Sequence, residues 1–157
     1  MAIPTNIKTL LSGEVVEWAR IEYKETWDAA ASLKTICAFA NDLDNWGGGY
    51  IVIGVEEDNG RPVYPLKGVP ADKLDVYQKN IYARCNLIRP AYTPIIGVET
   101  YQDKLFIVIW CPGGDNRPIL HRRQWRRIIK NADIISVKRL IQWNHQMMKR
   151  KICLIWR

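Results

Sequence analysis

Five of the carboxylate side chains are the residues whose type and spacing are best suited to chemistry. Glu17 and Glu22 lie around the first predicted strand, and Glu56, Glu57 and Asp58 follow the second. Carboxylate oxygens are preferred ligands of hard cations such as Mg²⁺ and Mn²⁺, which activate water and neutralise a cleaved phosphate. Residues five apart on a regular strand point to opposite faces, so Glu17 and Glu22 converge only if Glu17 precedes the strand or occupies a bulge.

Nucleophilic catalysis and phosphate-loop chemistry are not indicated by the sequence. Both histidines, His121 and His145, fall in the last 37 residues, so no earlier histidine could act as base to a serine or cysteine. The glycine run Gly47-Gly48-Gly49 follows a predicted helix and precedes a strand, whereas a phosphate-binding loop leads from a strand into a helix. We interpret this run as a tight connection that needs positive φ.

The elements that must position these residues centre on residues 28–58. A helix over Asp28–Asn41 is predicted by apolar residues at i, i+3, i+4 and i+7, which are Leu33, Ile36, Cys37 and Ala40. After the glycines, the segment Tyr50–Glu56 is short, apolar and rich in β-branched residues. This composition predicts a central strand that is covered on both faces.

The rest of the chain completes an α+β fold, in which two main helices pack on a mixed, mostly antiparallel sheet. The other predicted elements are the strands Trp18–Lys24, Ile95–Tyr101 and Leu105–Cys111, the helix Asp72–Ile88, a short helical turn Ile7–Leu11, and an edge strand or loop at Arg61–Pro65. The predicted core contains Leu33, Ile36, Phe39, Ile51, Ile53, Ile81, Ile107 and Ile109. The widely spaced cysteines Cys37, Cys85, Cys111 and Cys153 are interpreted as small buried residues, because no zinc or disulfide spacing is present.

Five short motifs carry a resemblance to a known family. They are Glu17-x4-Glu22-Tyr23-Lys24, Ala38-Phe39-Ala40-Asn41, Gly48-Gly49-Tyr50-Ile51-Val52-Ile53-Gly54-Val55, Pro90-x-Tyr92-x-Pro94, and Val108-Ile109-x-Cys111-Pro112-Gly113-Gly114 with Arg117-Pro118. In this order and spacing the chain resembles the Schlafen-type AlbA-like DNA-binding domain family over about Glu14 to Pro118. Asn41 and Asp42 match the structural signature of that family, which we interpret as a helix C-cap with hinge hydrogen bonds.

The resemblance implies two functions. Bacterial relatives are DNA-binding or transcriptional-regulator-like domains, which predicts a non-enzymatic binding module without a cofactor. Animal Schlafen proteins are divalent-metal-dependent RNA endonucleases, and their three acidic residues match Glu17, Glu22 and Glu57 here. The alternative function is therefore an endoribonuclease that uses Mg²⁺ or Mn²⁺ at those residues. A purely structural alternative pairs Glu22 with Lys24 and leaves Glu56–Asp58 as a solvated strand exit.

Scattered cations are candidates for contacts with nucleic-acid phosphates. The residues proposed to bind nucleic acid are Lys24, Lys34, Arg61, Arg84 and Arg117. Tyr23, Trp27 and Trp46 are candidates for base stacking. The competing interpretation is that these cations are only a solvated surface, because residues 1–120 hold 12 Lys+Arg against 15 Asp+Glu, a net charge of −3.

The last part of the chain does not resemble the family, which normally ends in a strand of the type Tyr-Tyr-Ile-Arg. Residues 121–157 hold 11 Lys+Arg and one acidic residue, a net charge of +10. When the codons of Asn131–Lys149 are read from each third base, permitted synonymous choices give Cys-Gly-Tyr-Tyr-Ile-Arg and an acidic continuation. We therefore hypothesise a frameshift near Ile119–Arg123.

The rival interpretation of the C-terminal segment is a basic arm that contacts phosphates through Arg122, Arg123, Arg126 and Arg127. Under the frameshift hypothesis, residues after about His121 should pack poorly and should leave Leu105–Cys111 without a strand partner on one side.

Length and composition bound the class of protein. A chain of 157 residues with 25% charged residues is expected to form one ordinary domain, divided here into a leader (1–13), the AlbA-like domain (14–118) and the basic tail (119–157). The sequence contains neither an apolar run long enough to span a bilayer nor a signal-peptide pattern. We expect a soluble cytoplasmic protein with no membrane partner and leave its oligomeric state open.

Overall fold

A computed structural model describes residues 3–12, 20–117 and 119–121 of the chain. The elements in chain order are α1 (Ile7–Ser12), β1 (Ile21–Lys24), α2 (Ala29–Asn41), β2 (Gly49–Ile53), β3 (Glu57–Asp58), β4 (Arg61–Pro62), α3 (Ala71–Cys85), β5 (Ile88–Arg89), β6 (Ile95–Tyr101), β7 (Lys104–Cys111) and β8 (Leu120–His121).

The main sheet has four strands in the order β1-β2-β7-β6. β1 pairs parallel with β2, whereas β2 pairs antiparallel with β7, and β7 antiparallel with β6. The predicted α+β fold with a mixed, mostly antiparallel sheet is therefore confirmed. The expectation that Leu105–Cys111 lacks a partner on one side is wrong, because β2 and β6 flank β7.

The sheet is covered on both faces, which explains why β2 and β7 are almost continuously apolar. Alternate residues such as Ile51 and Ile107 pack under α2 and α3, and the intervening Val52 and Val108 pack with α1 on the opposite face. All eight core residues predicted from the sequence are buried, with relative exposures of 5% or less. Burial on both faces is typical of a central strand and favours β-branched residues there.

Local chemistry sets the ends of α2. The Asp28 carboxylate accepts hydrogen bonds from the amides of Ala30 and Ala31 at 2.8 and 3.0 Å, which satisfies donors that a helix N-terminus leaves unpaired. At the other end Asp42 adopts a left-handed conformation, and its amide bonds the carbonyl of Phe39. The predicted helix over Asp28–Asn41 is thus confirmed with its two caps.

Several predicted boundaries differ from the structure: β1 begins at Ile21 rather than at Trp18, and the ends of β2 and α3 also differ. β2 ends at Ile53 rather than at Glu56, because Gly54 turns to a φ of 104° and the amides of Gly54 and Val55 both bond the carbonyl of Lys24. α3 ends at Cys85 rather than at residue 88. Ile88 and Arg89 instead pair with Leu120 and His121 across β5 and β8, so residues just beyond Pro118 contribute a strand.

Three cysteines confirm the prediction of burial. Cys37, Cys85 and Cys111 are free thiols inside the core, and burial raises the pKa of Cys85 to about 11. Cys153 lies outside the described residues, as do Glu17 and the segment 122–157, for which poor packing was expected. Within the described part of the chain, no helix is both long enough and apolar enough to cross a bilayer.

Candidate nucleic-acid interface

Different charged residues lie at the two ends of the sheet. The exit end is where β1 finishes at Lys24 and β2 at Ile53; the hinge end is where β2 begins at Gly49 beside the end of β7 at Cys111. Because β1 and β2 are parallel, the residue before β1 lies at the hinge end and the residues after β2 lie at the exit end.

At the exit end, the structure brings one predicted carboxylate, that of Glu57, to the backbone of the strand that carries Glu22. The Glu57 Oε2 atom accepts a hydrogen bond from the Tyr23 amide at 3.3 Å, and that amide belongs to the peptide unit linking Tyr23 to Glu22. The Glu22 carboxylate itself lies 2.8 Å from the Lys24 ammonium, as the structural alternative predicted. Glu57 therefore satisfies a backbone donor on β1, one residue after Glu22 in the sequence.

The third predicted carboxylate, Glu17, lies outside the described residues. β1 begins at Ile21, four residues after Glu17 in the sequence. In the segments that the structure describes, no group of three or more His, Cys, Asp or Glu side chains is arranged to hold a metal ion.

The remaining charges at the exit end are of mixed sign. Lys67 bridges Glu56 at 2.6 Å and Glu25 at 3.0 Å, and these hydrogen bonds, with Glu56 first, raise the pKa of the Lys67 ammonium. Arg61 is exposed and lies opposite Asp58 in the register of β3 and β4. Half-exposed ion pairs such as those of Lys67 contribute little to stability. The charged residues named at this end are five carboxylates (Glu22, Glu25, Glu56, Glu57 and Asp58) and three cations (Lys24, Arg61 and Lys67), a net charge of −2.

At the hinge end, the family signature is a set of buried hydrogen bonds. The Asn41 side chain is 3% exposed; its amide donates to the carbonyls of Cys37 and Ile119 at 2.7 Å each, and its Oδ1 accepts from the Ile119 amide at 2.8 Å. The Asn41 side chain thus bonds both the amide and the carbonyl of Ile119, as the backbone of a neighbouring strand would. The interpretation of Asn41 and Asp42 as capping and hinge residues is confirmed.

Asp42 orders the hinge loop, which comprises residues 42–48. Its two carboxylate oxygens accept hydrogen bonds from the amides of Trp46 and Gly47 at 2.9 and 3.0 Å. Gly47 and Gly48 have φ values of 85° and 79°, and a Cβ at Gly48 would overlap the carbonyl oxygen of Cys111. The prediction that the glycine run is a tight connection with positive φ is confirmed.

Two arginines contact this loop. The Arg20 Nε atom donates to the carbonyl of Gly48 at 2.6 Å. The Arg117 guanidinium donates to the carbonyls of Gly114 and Asp42 at 2.8 and 2.9 Å and to Asn45 Oδ1 at 3.2 Å. Arg117 therefore also has a structural role in holding the loop.

The other predicted binding residues are dispersed. Lys34 is exposed on α2 and Arg84 is exposed near the end of α3, whereas Lys24 and Arg61 lie at the exit end. The five predicted cations therefore do not form one cluster.

Of the three aromatic candidates, only Trp46 is substantially exposed, at 43%. Tyr23 is buried, and its hydroxyl donates to the carbonyl of Leu10 at 2.7 Å. Trp27 packs partly against the core, and its indole nitrogen donates to Asn80.

Arg20 was not among the predicted binding residues. Its alternation with Glu22 and Lys24 was visible in the sequence, but that pattern predicts only a strand face. Its position beside Gly48 depends on the parallel register of β1 and β2, in which Ile21 pairs with Tyr50, and no local sequence signal specifies that register.

Comparison with protein families decides the relationship. The model of the family described as Schlafen, AlbA_2 matches residues 17–144. The chain belongs to this family. The matched range continues past the predicted domain boundary at residue 118 into the basic segment. Schlafen AlbA_2 domains are associated with nucleic acid.

Solved structures add a relative of this AlbA_2 chain. The chain is similar to the N-terminal domain of an ATP-dependent DNA helicase RecG-related protein from Nitrosomonas europaea, with 29% identity, a TM-score of 0.59, and coverage of 75% of this chain and 81% of that one. A weaker likeness is to the DIP2311 protein from Corynebacterium diphtheriae, with 16% identity, a TM-score of 0.45, and coverage of 75% of this chain and 23% of that one. No curated protein matches the chain.

Proposed function

We propose that this AlbA_2 chain is a DNA-binding module of a bacterial, transcriptional-regulator-like protein, acts in the cytoplasm, and is not itself an enzyme. The observation that carries the proposal is the likeness to the N-terminal domain of a DNA helicase RecG-related protein over 75% of this chain. The family match over residues 17–144 supports the same class of partner.

Charge distribution determines how such binding should behave. Residues 1–120 carry a net charge of −3 and residues 121–157 a net charge of +10, so two parts of the chain could supply phosphate contacts. Affinity that rests on phosphate contacts falls steeply with salt, with a slope in log K against log salt of about −0.9 per contact on duplex DNA. We expect binding at low salt that is largely lost at physiological salt.

The experiment is a fluorescence anisotropy titration of DNA with the full chain across a salt series, together with two charge variants. One variant replaces Lys34 and Arg84 with Gln, and the other replaces four tail residues with Gln, namely Arg122, Arg123, Arg126 and Arg127. If the domain binds, the first variant weakens binding and reduces the magnitude of the salt slope by roughly 1.8 on duplex DNA, which corresponds to two phosphate contacts. If the tail binds, the second variant has the larger effect.

The matched control is Lys79→Gln. Lys79 is an exposed lysine on α3 that pairs with Asp75 at 2.6 Å, so this variant removes one charge outside the proposed contacts. It should leave both affinity and slope close to those of the wild type. Failure of the wild-type chain to bind DNA or RNA at low salt would contradict the proposed function.

A second candidate function is a metal-dependent endoribonuclease with Glu17, Glu22 and Glu57 as ligands of Mg²⁺ or Mn²⁺. What supports it is the hydrogen bond that Glu57 accepts from the Tyr23 amide, which brings one carboxylate of the proposed set to the backbone of the residue after Glu22. Carboxylate oxygens suit these cations, and a bound cation would supply activation of water and charge neutralisation at phosphate. The Lys24 ammonium beside Glu22 opposes cation binding, so Lys24 would have to move.

The test of this candidate is incubation of tRNA with the full chain and Mn²⁺ or Mg²⁺. Cleavage should require the metal and disappear in Glu22→Gln. The control is Glu25→Gln, which removes a half-exposed carboxylate that forms an ion pair with Lys67 and is not in the proposed set. Intact tRNA with the wild-type chain and Mn²⁺ would exclude the nuclease candidate and leave the binding module.

We also propose that a frameshift near Ile119–Arg123 produced the basic segment. The support is the abrupt change in charge and the strand-like Tyr-Tyr-Ile-Arg sequence in the other frame of Asn131–Lys149. Sequencing the gene tests this directly, since a gene without that second open frame contradicts it. Any truncation experiment should cut after His121, because Ile119 and Leu120 are buried in the described core.

A further inference from the structure

The hinge loop presents apolar surface on an ordered backbone. Leu43 and Trp46 are 44% and 43% exposed, although large apolar side chains usually lie inside. The backbone that carries Trp46 is held by the Asp42 carboxylate through the amides of residues 46 and 47. An exposed indole on a backbone fixed in this way has little conformational entropy to lose on binding a flat partner.

The same loop is contacted by two guanidinium groups. Arg20 bonds the carbonyl of Gly48, and its Nη2 lies 3.4 Å from the position that a Cβ on Gly47 would occupy. Arg117 bonds Asn45, the residue immediately before Trp46. The two guanidinium groups are therefore held against residues on either side of Trp46 in the loop sequence, and the Arg117 Nη2 atom also lies 4.0 Å from the Asp42 carboxylate. Asp44 is the second carboxylate of the loop sequence.

We propose that Trp46, Arg20 and Arg117 form a stacking site for an unpaired base of single-stranded DNA. The indole would stack on the base, and the two guanidinium groups would contact the flanking phosphates. This inference rests on the proposed function, because it names the form of DNA that the domain takes.

Base chemistry explains the choice of a single strand. In a duplex both faces of each base are covered by its neighbours, whereas an unpaired base offers a face to an aromatic side chain. Two fixed cations beside that aromatic side chain complement the phosphates of such a strand.

The experiment compares a fluorescein-labelled oligo-dT strand with the matching dA·dT duplex, using the full chain at low salt. Trp46→Ala should weaken binding of oligo-dT roughly 5- to 150-fold and leave duplex binding unchanged, since stacking is worth about 1–3 kcal/mol per base. Trp46→Phe should retain most of the affinity, because a phenyl ring still stacks. The aromatic control is Tyr64→Ala, which removes a 56% exposed ring from the loop that follows β4 and should change neither affinity.

The contribution of charge is tested at Arg20 with a matched pair. Arg20→Gln keeps a donor for the carbonyl of Gly48 but removes the charge, so the salt slope on oligo-dT should fall by about 0.7. Arg20→Lys keeps the charge and should keep the slope. Asp44→Asn removes the neighbouring negative charge and should tighten binding of oligo-dT.

The outcomes separate this inference from the function on which it rests. Unchanged oligo-dT binding by Trp46→Ala, or an equal loss on duplex, overturns the stacking site while the binding module stands. Binding of neither DNA by the wild-type chain removes the proposed function and the stacking site together. Loss of dimerisation in Trp46→Ala with unchanged DNA affinity would assign the loop to a protein contact and overturn the inference.

Discussion

Replacement of Asn41 should destabilise the whole domain, because its side chain substitutes for a strand partner of Ile119. Asn41→Ala removes three buried hydrogen bonds and leaves the amide and the carbonyl of Ile119 without these partners in a residue that is 2% exposed. The carbonyl of Cys37 lies in α2 and keeps the helical bond expected there.

The magnitude follows from the two backbone groups that lose their partners. Each buried polar group left unsatisfied costs about 1–3 kcal/mol, and entry of water into the vacated space lowers the sum, so we expect a loss of about 2–4 kcal/mol. For a chain of this size that corresponds to a decrease in Tm of roughly 5–15 °C. Urea unfolding followed by circular dichroism measures the loss, with Asn80→Ala as the control.

Asn80 suits this comparison because it is exposed on α3 and makes one side-chain bond, to Trp27. Its replacement by Ala should change the free energy of unfolding by no more than about 0.5 kcal/mol. Equal effects of Asn41→Ala and Asn80→Ala would refute the argument that Asn41 fixes the segment at Ile119.

Asn41→Asp provides a second test with a defined pH dependence. The new carboxylate would face the carbonyls of Cys37 and Ile119, which disfavours the charged form and raises its folded pKa above the unfolded value of about 3.9. Stability relative to the wild type is then greatest below that unfolded pKa and decreases as the pH rises through it towards the folded pKa. A variant whose deficit is the same at pH 4 and pH 7 would contradict this.

Three further predictions concern the helix cap, the hinge and the thiols. Asp28→Ala should lower stability at pH 7, and this deficit should vanish at low pH. Hydrogen bonds from the amide of Ala31 and, to a lesser extent, that of Ala30 lower the pKa of Asp28, so the stabilisation by its carboxylate exists above the unfolded pKa and is lost as the pH falls through the folded pKa. Urea unfolding at both pH values measures the difference. Gly48→Ala should cost at least about 1–2 kcal/mol for its positive φ, with the overlap at Cys111 adding to the loss, and a thermal melt unchanged from that of the wild type would contradict it. In Cys153→Ser, the remaining thiols should react with a disulfide reagent at pH 8 only after denaturation, because burial raises the pKa of Cys85 to about 11 and also raises that of Cys111.

Regular elements could be predicted from the sequence because their signals are local. The periodicity of Leu33, Ile36 and Ala40 specifies the buried face of α2, and the apolar segment around Ile51 specifies a strand covered on both faces. The hairpin formed by β6 and β7 was also accessible, because two strand patterns are separated only by a short connection at Gln102 and Asp103, where the structure has a tight turn with positive φ at both residues. The signature residues Asn41 and Asp42 were recognised as structural from the motif alone.

The candidate sites depended on contacts between residues far apart in the sequence. Arg20 reaches Gly48 only through the parallel pairing of β1 and β2, and Glu57 reaches Tyr23 only because the chain folds back after Gly54. Periodicity constrains which face a residue occupies, but it carries no information about strand order or register between distant segments. The sequence by itself therefore determined the elements and the buried core, whereas the tertiary structure decided that Arg20 and Arg117, which are distant in sequence, both contact the hinge loop that carries Trp46.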